Sequence, residues 1–248
     1  AWLSDATAAE ATYGHISTWE TGGVTDMSHL FCASSSYSSN GCNTAAASFN
    51  EDIGAWDTSG VTDMSWMFAS SRHSYTTNWA GTSAFNQDIG GWAVDSVTNM
   101  WGMFFGAGAF DQDIGDWAVG HVRNMEKMFY YAWAFDQDLS DWALDSVTDM
   151  YWMFYEATAF NQDLDWCIRD GVDIENAFKL TKCEETSCGV AMQDVFGICE
   201  PWARPCLIIS GDDAYDQQCE INSPTLIIII IIVLVLLAGF CVHRRKKK

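Results

Sequence analysis

The chain has 248 residues, 49% of them hydrophobic and 14% aromatic, with 33 acidic against 12 basic residues and a net charge of −21. So acidic a balance argues against nucleic acid or an anionic membrane surface as partner. It leaves cations, a basic protein surface or plain solubility as its reading.

The chain begins at Ala1 without a signal peptide, which reads as a mature form or an excised piece. Trp2, Leu3 and the Ala-rich stretch Asp5 to Ala11 read as an amphipathic helix, so residues 1–14 are expected to form a helical amino-terminal cap.

Residues 15–182 carry a repeat. Phe85 to Ala109, Phe110 to Ala134 and Phe135 to Ala159 are three gapless copies of one 25-residue phrase. The marker tryptophans Trp19, Trp56, Trp92, Trp117, Trp142 and Trp166 extend it to six copies, spaced 37, 36, 25, 25 and 24 residues apart. The two long spacings come from insertions near 32–48 and 69–84, both following the repeat's Phe. They are expected to project as loops from one edge.

Each copy sets Ile, Trp and Val at the spacing of a leucine-rich repeat and follows them with Met, Met and Phe. Trp117 to Val119 reads as a short strand and Asn124 to Ala132, with its i, i+3, i+4 apolar spacing, as a short helix. This predicts an α/β solenoid of the leucine-rich-repeat type with about six coils. Its core would hold Trp56, Trp92, Trp117 and Trp142, Met64, Met100, Met125 and Met150, and Phe68, Phe104, Phe129 and Phe154. One copy cannot bury its apolar side alone, so stacking must do it.

The phrase F-[ND]-Q-D-[IL] places Asp88, Asp113, Asp138 and Asp163 in register. Stacked like charges repel unless compensated. Either each Asp accepts backbone N–H bonds at its own turn, or the column binds Ca²⁺ through clustered oxygens. No other cofactor is expected.

Of nine cysteines, eight precede residue 225. Cys32 and Cys42, ten residues apart in the first insertion, are expected to close that loop by a disulfide. Cys167, Cys183, Cys188, Cys199, Cys206 and Cys219 allow 15 pairings; over residues 183–224 they read as a tied carboxy-terminal cap and stalk. Residues 225–242 contain the run LIIIIIIVLVLLAGFCV, which as a helix would span about 26 Å. The tail 243–248, HRRKKK, is basic. Together they predict one transmembrane helix, a type I topology at the plasma membrane and the lipid bilayer as a partner. All 33 acidic residues but only 7 of the 12 basic ones precede this run, leaving that part at −26.

There is no GxSxG, GxGxxG or P-loop, and the histidines fall at unrelated repeat phases. Carboxylates recur in every copy, whereas catalysis needs one distinct arrangement, so no enzyme is expected.

The phrases FNQDIGGWAVDSVTNMWGMF and STWETGGVTDMSHLF resemble the BspA-like leucine-rich-repeat surface family, also known as a bacterial surface-protein repeat and as a Mycoplasma lipoprotein-associated domain of unknown function. The likeness spans roughly residues 15–180. It implies a cell-surface protein with adhesion or partner binding, and it supplies no catalytic residues. The resulting expectation is a membrane-anchored binding or adhesion module with an extracellular protein or glycan ligand. The alternative is a structural surface coat without a specific ligand. Residues that vary at one exposed phase would favour ligand reading; uniform ones would favour a coat.

Overall fold

A computed structural model describes residues 1–33, 42–70, 83–193 and Cys199. Regular secondary structure among them is sparse. It comprises one α-helix, α1 (Ala6–Tyr13), and short 3-10 turns at Ile16–Thr18, Thr44–Ser48 and Glu184–Gly189. One two-stranded parallel sheet pairs β1 (Cys167–Ile168) with β2 (Ala191–Met192).

The α/β leucine-rich-repeat solenoid is therefore corrected: the copies contain neither the expected strand nor the expected helix. The segment 124–132 shows why. Lys127 and Tyr131 have φ of 54° and 59°, in the left-handed region, and an α-helix cannot pass through them. The N–H groups of Met125, Lys127, Phe129 and Tyr131 donate to the carbonyls of Asp149, Tyr151, Met153 and Tyr155 at 2.8–2.9 Å, not to residues four back. Interleaved turns close locally, as Met128 N–H donates to the Met125 carbonyl at 3.1 Å. A run of tight turns brings apolar residues round every three or four positions, as a helix does. The periodicity alone does not separate the two.

Successive copies meet at single parallel bridges, Asp26 to Asp63, Asp63 to Asn99, Asn99 to Asn124, Asn124 to Asp149 and Asp149 to Asp173. At each of these residues the side-chain oxygen accepts the N–H two positions on, from Ser28, Ser65, Trp101, Glu126, Tyr151 and Glu175. This Asx-turn bends the backbone straight after the bridge and keeps the pairing from growing into a strand.

The core lies inside these turns. Trp56, Trp92, Trp117 and Trp142, Met64, Met100, Met125 and Met150, and Phe68, Phe104, Phe129 and Phe154 are all buried. The phenylalanines interleave: Phe104 stacks on Phe110 at 4.0 Å and Phe129 on Phe135 at 4.1 Å. Burying each ring is worth about 1.5–3 kcal/mol and each aromatic pair about 0.5–1.5 more. Tryptophan adds a polar tie. The indole Nε1 of Trp56, Trp92, Trp117, Trp142 and Trp166 donates to the carbonyl of Ile16, Ile53, Ile89, Ile114 and Leu139, one copy back, at 2.9–3.1 Å.

A second polar column explains F-[ND]-Q-D. Asn86, Asp111 and Asp136 each accept, at one side-chain oxygen, both the backbone N–H and the glutamine Nε2 of the next copy's phrase. The donors are Asp111 and Gln112, Asp136 and Gln137, and Asn161 and Gln162.

At the amino-terminal end Asp5 caps α1 by accepting from Ala8 N–H, and Trp2 packs edge-on against His15 and Trp19. At the other end the segment 182–193 lies along the last full copy. Leu164, Ala191 and Gln193 N–H groups join Cys188, Trp166 and Ile168 there. Disulfides link Cys32 to Cys42, Cys167 to Cys199 and Cys183 to Cys188. Cys206 and Cys219 lie outside the described residues.

No helix among the described residues is long and apolar enough to cross a membrane. The span expected over 225–242 lies outside the described residues. The type I topology, the plasma-membrane location, the bilayer partner, the membrane-anchored adhesion role and its surface-coat alternative are corrected on these findings and are not carried forward.

Candidate functional site

Between each bridge residue and the core Phe, the inward positions barely change from copy to copy, while the outward ones change freely. Two positions after the bridge stand Ser28, Ser65, Trp101, Glu126, Tyr151 and Glu175; next come His29, Trp66, Gly102, Lys127, Trp152 and Asn176. Just after the Phe stand Cys32, Ala69, Phe105, Tyr130, Tyr155 and Lys179. In the earlier copies these phases are covered, with Cys32, Ser65, Trp66 and Ala69 buried, whereas Trp101, Phe105, Glu126, Lys127, Tyr130, Tyr151, Trp152 and Tyr155 of the later copies are at least partly exposed.

Aromatic side chains collect there. Phe105 stacks on Tyr130 at 4.8 Å and Tyr130 on Tyr155 at 5.1 Å, so three rings from successive copies form one column. Trp152 leans on Tyr130 and Tyr155 at 5.6 and 5.4 Å and stacks on Tyr151 at 4.7 Å. Trp66 packs against Phe105 at 5.1 Å and meets Trp101 edge-on at 5.2 Å. Its indole lies over Gly102, where a Cβ would come within 3.2 Å of Cε2. Gly102 thus makes room for the ring, and Trp101 is left 36% exposed, a large apolar side chain without full cover.

Charged side chains adjoin these rings. Lys127 pairs with Glu126, and its Nζ sits 5.3 Å from the ring centroids of both Tyr151 and Trp152. Burial raises the Asp149 carboxyl above its ordinary range, and the nearby Glu126 and Asp173 carboxylates add to this. Burial likewise raises Tyr130, reinforced by its hydrogen bond to Tyr131, and raises Tyr155, with Glu156 contributing. All of these keep the phenols neutral. Trp152 Nε1 is buried and has no hydrogen-bond partner among the described residues.

The sequence-selected acidic column lies elsewhere. Asp88, Asp113 and Asp138 each accept the N–H two residues on, from Gly90, Gly115 and Ser140, at 2.9–3.0 Å. Asp163 differs; it lies against Gly189, where any side chain would strike its carboxylate. Among the described residues no group of three His, Cys, Asp or Glu side chains could hold a metal ion. The structure therefore does not bring the four aspartates together as a Ca²⁺ cage.

No uniform motif in the sequence marks this face. The usable signal was the reverse: the phases at which the copies disagree, Trp101 against Glu126 or Gly102 against Trp152.

One family model matches the chain, over residues 7–79 and 73–188: Mycoplasma protein of unknown function, DUF285. No curated protein and no solved structure matches.

Proposed function

We propose, from the premise that the chain belongs to the DUF285 family, that it is a non-catalytic protein-binding module whose contact surface is the outward aromatic face. The observation that supports this most is the contrast between phases. Residues that hold the copies together repeat, whereas at the phases of Trp101, Lys127 and Tyr130 no residue type occurs in more than two of the six copies. A purely structural repeat gains nothing from such variation, and partly exposed aromatic clusters rank high among the side chains that carry binding energy.

The regular carboxylates support a non-catalytic reading. Each of Asp88, Asp113 and Asp138 is engaged by its own turn, and Asp138 also meets the Ser140 side chain of that same turn. The three disulfides fit an oxidising compartment. The narrower kinship with BspA-like surface proteins rests on the repeated phrase alone, and no adhesive role is taken from it.

Site-specific photocrosslinking tests the reading. A photoreactive residue replacing Trp101 should capture a discrete partner from the native source, and the same residue replacing Asp95 should not. Equal capture from both positions would refute a defined face.

A further inference from the structure

We infer that the aromatic face receives a cationic side chain, arginine or lysine, from a partner protein, and that Lys127 holds that place from within the chain. This rests on the binding-face reading above and specifies its chemistry.

The chain already shows what the surface accepts. Lys127 alone among its six repeat equivalents is a cation, and its ammonium lies 5.3 Å from the centres of both the Tyr151 and Trp152 rings. The Glu126 carboxylate closes the other side. Ring faces and a carboxylate around one point attract positive charge, and guanidinium fits such a site better than ammonium because it stacks as well as pairs. The surroundings agree: Asp149 lies near Glu126 and Lys127, and the whole chain carries −21. A basic segment would be drawn to this surface from a distance.

The partner's cation enters beside Glu126, over the Tyr151 and Trp152 rings. A glycan fits less well. Sugars stack on open ring faces, yet Phe105, Tyr130 and Tyr155 turn their faces to one another at 4.8 and 5.1 Å.

The test titrates an Arg-Gly repeat peptide into the full chain by calorimetry at physiological salt, following indole fluorescence in parallel. Lys127→Met removes the internal occupant and should tighten binding about three- to tenfold. Lys182→Met, which changes net charge equally on a side chain outside the clasp, should not. In the Lys127→Met background, Trp152→Leu should cancel the gain, with near-UV circular dichroism confirming that the chain is folded. Equal tightening by Lys127→Met and Lys182→Met, or binding untouched by Trp152→Leu, would reduce the interaction to net charge and overturn the inference. No peptide binding while position 101 still crosslinks a partner would overturn the cationic chemistry and leave the binding face standing. Loss of both would overturn both.

Discussion

The indole of Trp117 donates to the carbonyl of Ile89, 28 residues earlier, at 3.1 Å. The same carbonyl also accepts the backbone N–H of Trp92 at 3.1 Å, so one oxygen ties together two adjacent copies. Trp117→Phe removes the indole donor but leaves Ile89 with its second partner. The lost bond should cost about 0.5–1.5 kcal/mol. Trp117→Ala adds a cavity and should cost about 3–5 kcal/mol. Urea denaturation of both variants separates the polar tie from the packing.

Asp111 accepts from Asp136 N–H and from Gln137 Nε2 at the same oxygen. Asn86 performs the same task one copy earlier with an amide oxygen. Asp111→Asn should therefore stay within about 1 kcal/mol of the parent, whereas Asp111→Ala strands both donors and should cost about 1–3 kcal/mol. Equal losses in thermal melts of the two variants would show that the carboxylate charge, not the acceptor, matters there.

Asp149 bears on pH dependence. Its folded-state pKa is raised by burial, then by Glu126 and Asp173. The folded chain thus holds this proton more tightly than the unfolded chain. Its contribution to stability is greatest below the ordinary carboxylate value and is lost as pH rises through the raised one. At neutral pH the ionised group is a burden. Asn99 and Asn124 fill the same position in neighbouring copies and accept the same turn N–H. Asp149→Asn should raise the melting temperature at pH 7, and the gain should fade below about pH 4. A gain that persists undiminished in acid would rule out ionisation as its source.

The Asp88, Asp113 and Asp138 oxygens are engaged at their own turns. Adding Ca²⁺ should leave the melting temperature unchanged, because an ion that does not bind the folded chain cannot stabilise it by mass action. A rise with Ca²⁺ that disappears in Asp113→Asn would restore the metal reading.

What the sequence alone determined is the repeat and the identity of its conserved side chains. The 25-residue phrase was plain, and Trp117, Met125 and Phe129 could be picked from it because periodic apolar residues must be buried by something. The Cys32–Cys42 bridge is also legible, since the two cysteines stand ten positions apart in a mostly small-residue insertion, far in sequence from the other cysteines. What only the tertiary structure decided is the backbone path. A three-and-four apolar spacing suits a helix and a run of turns equally. The choice fell to turns because Asn124 takes the N–H of Glu126, Lys127 adopts a left-handed φ, and the next copy offers carbonyls to the freed N–H groups. The same path carries Phe105, Tyr130 and Tyr155, 25 residues apart in sequence, into one stacked, partly exposed column. No local pattern marks those rings as neighbours, because their contact arises only when copies lie side by side.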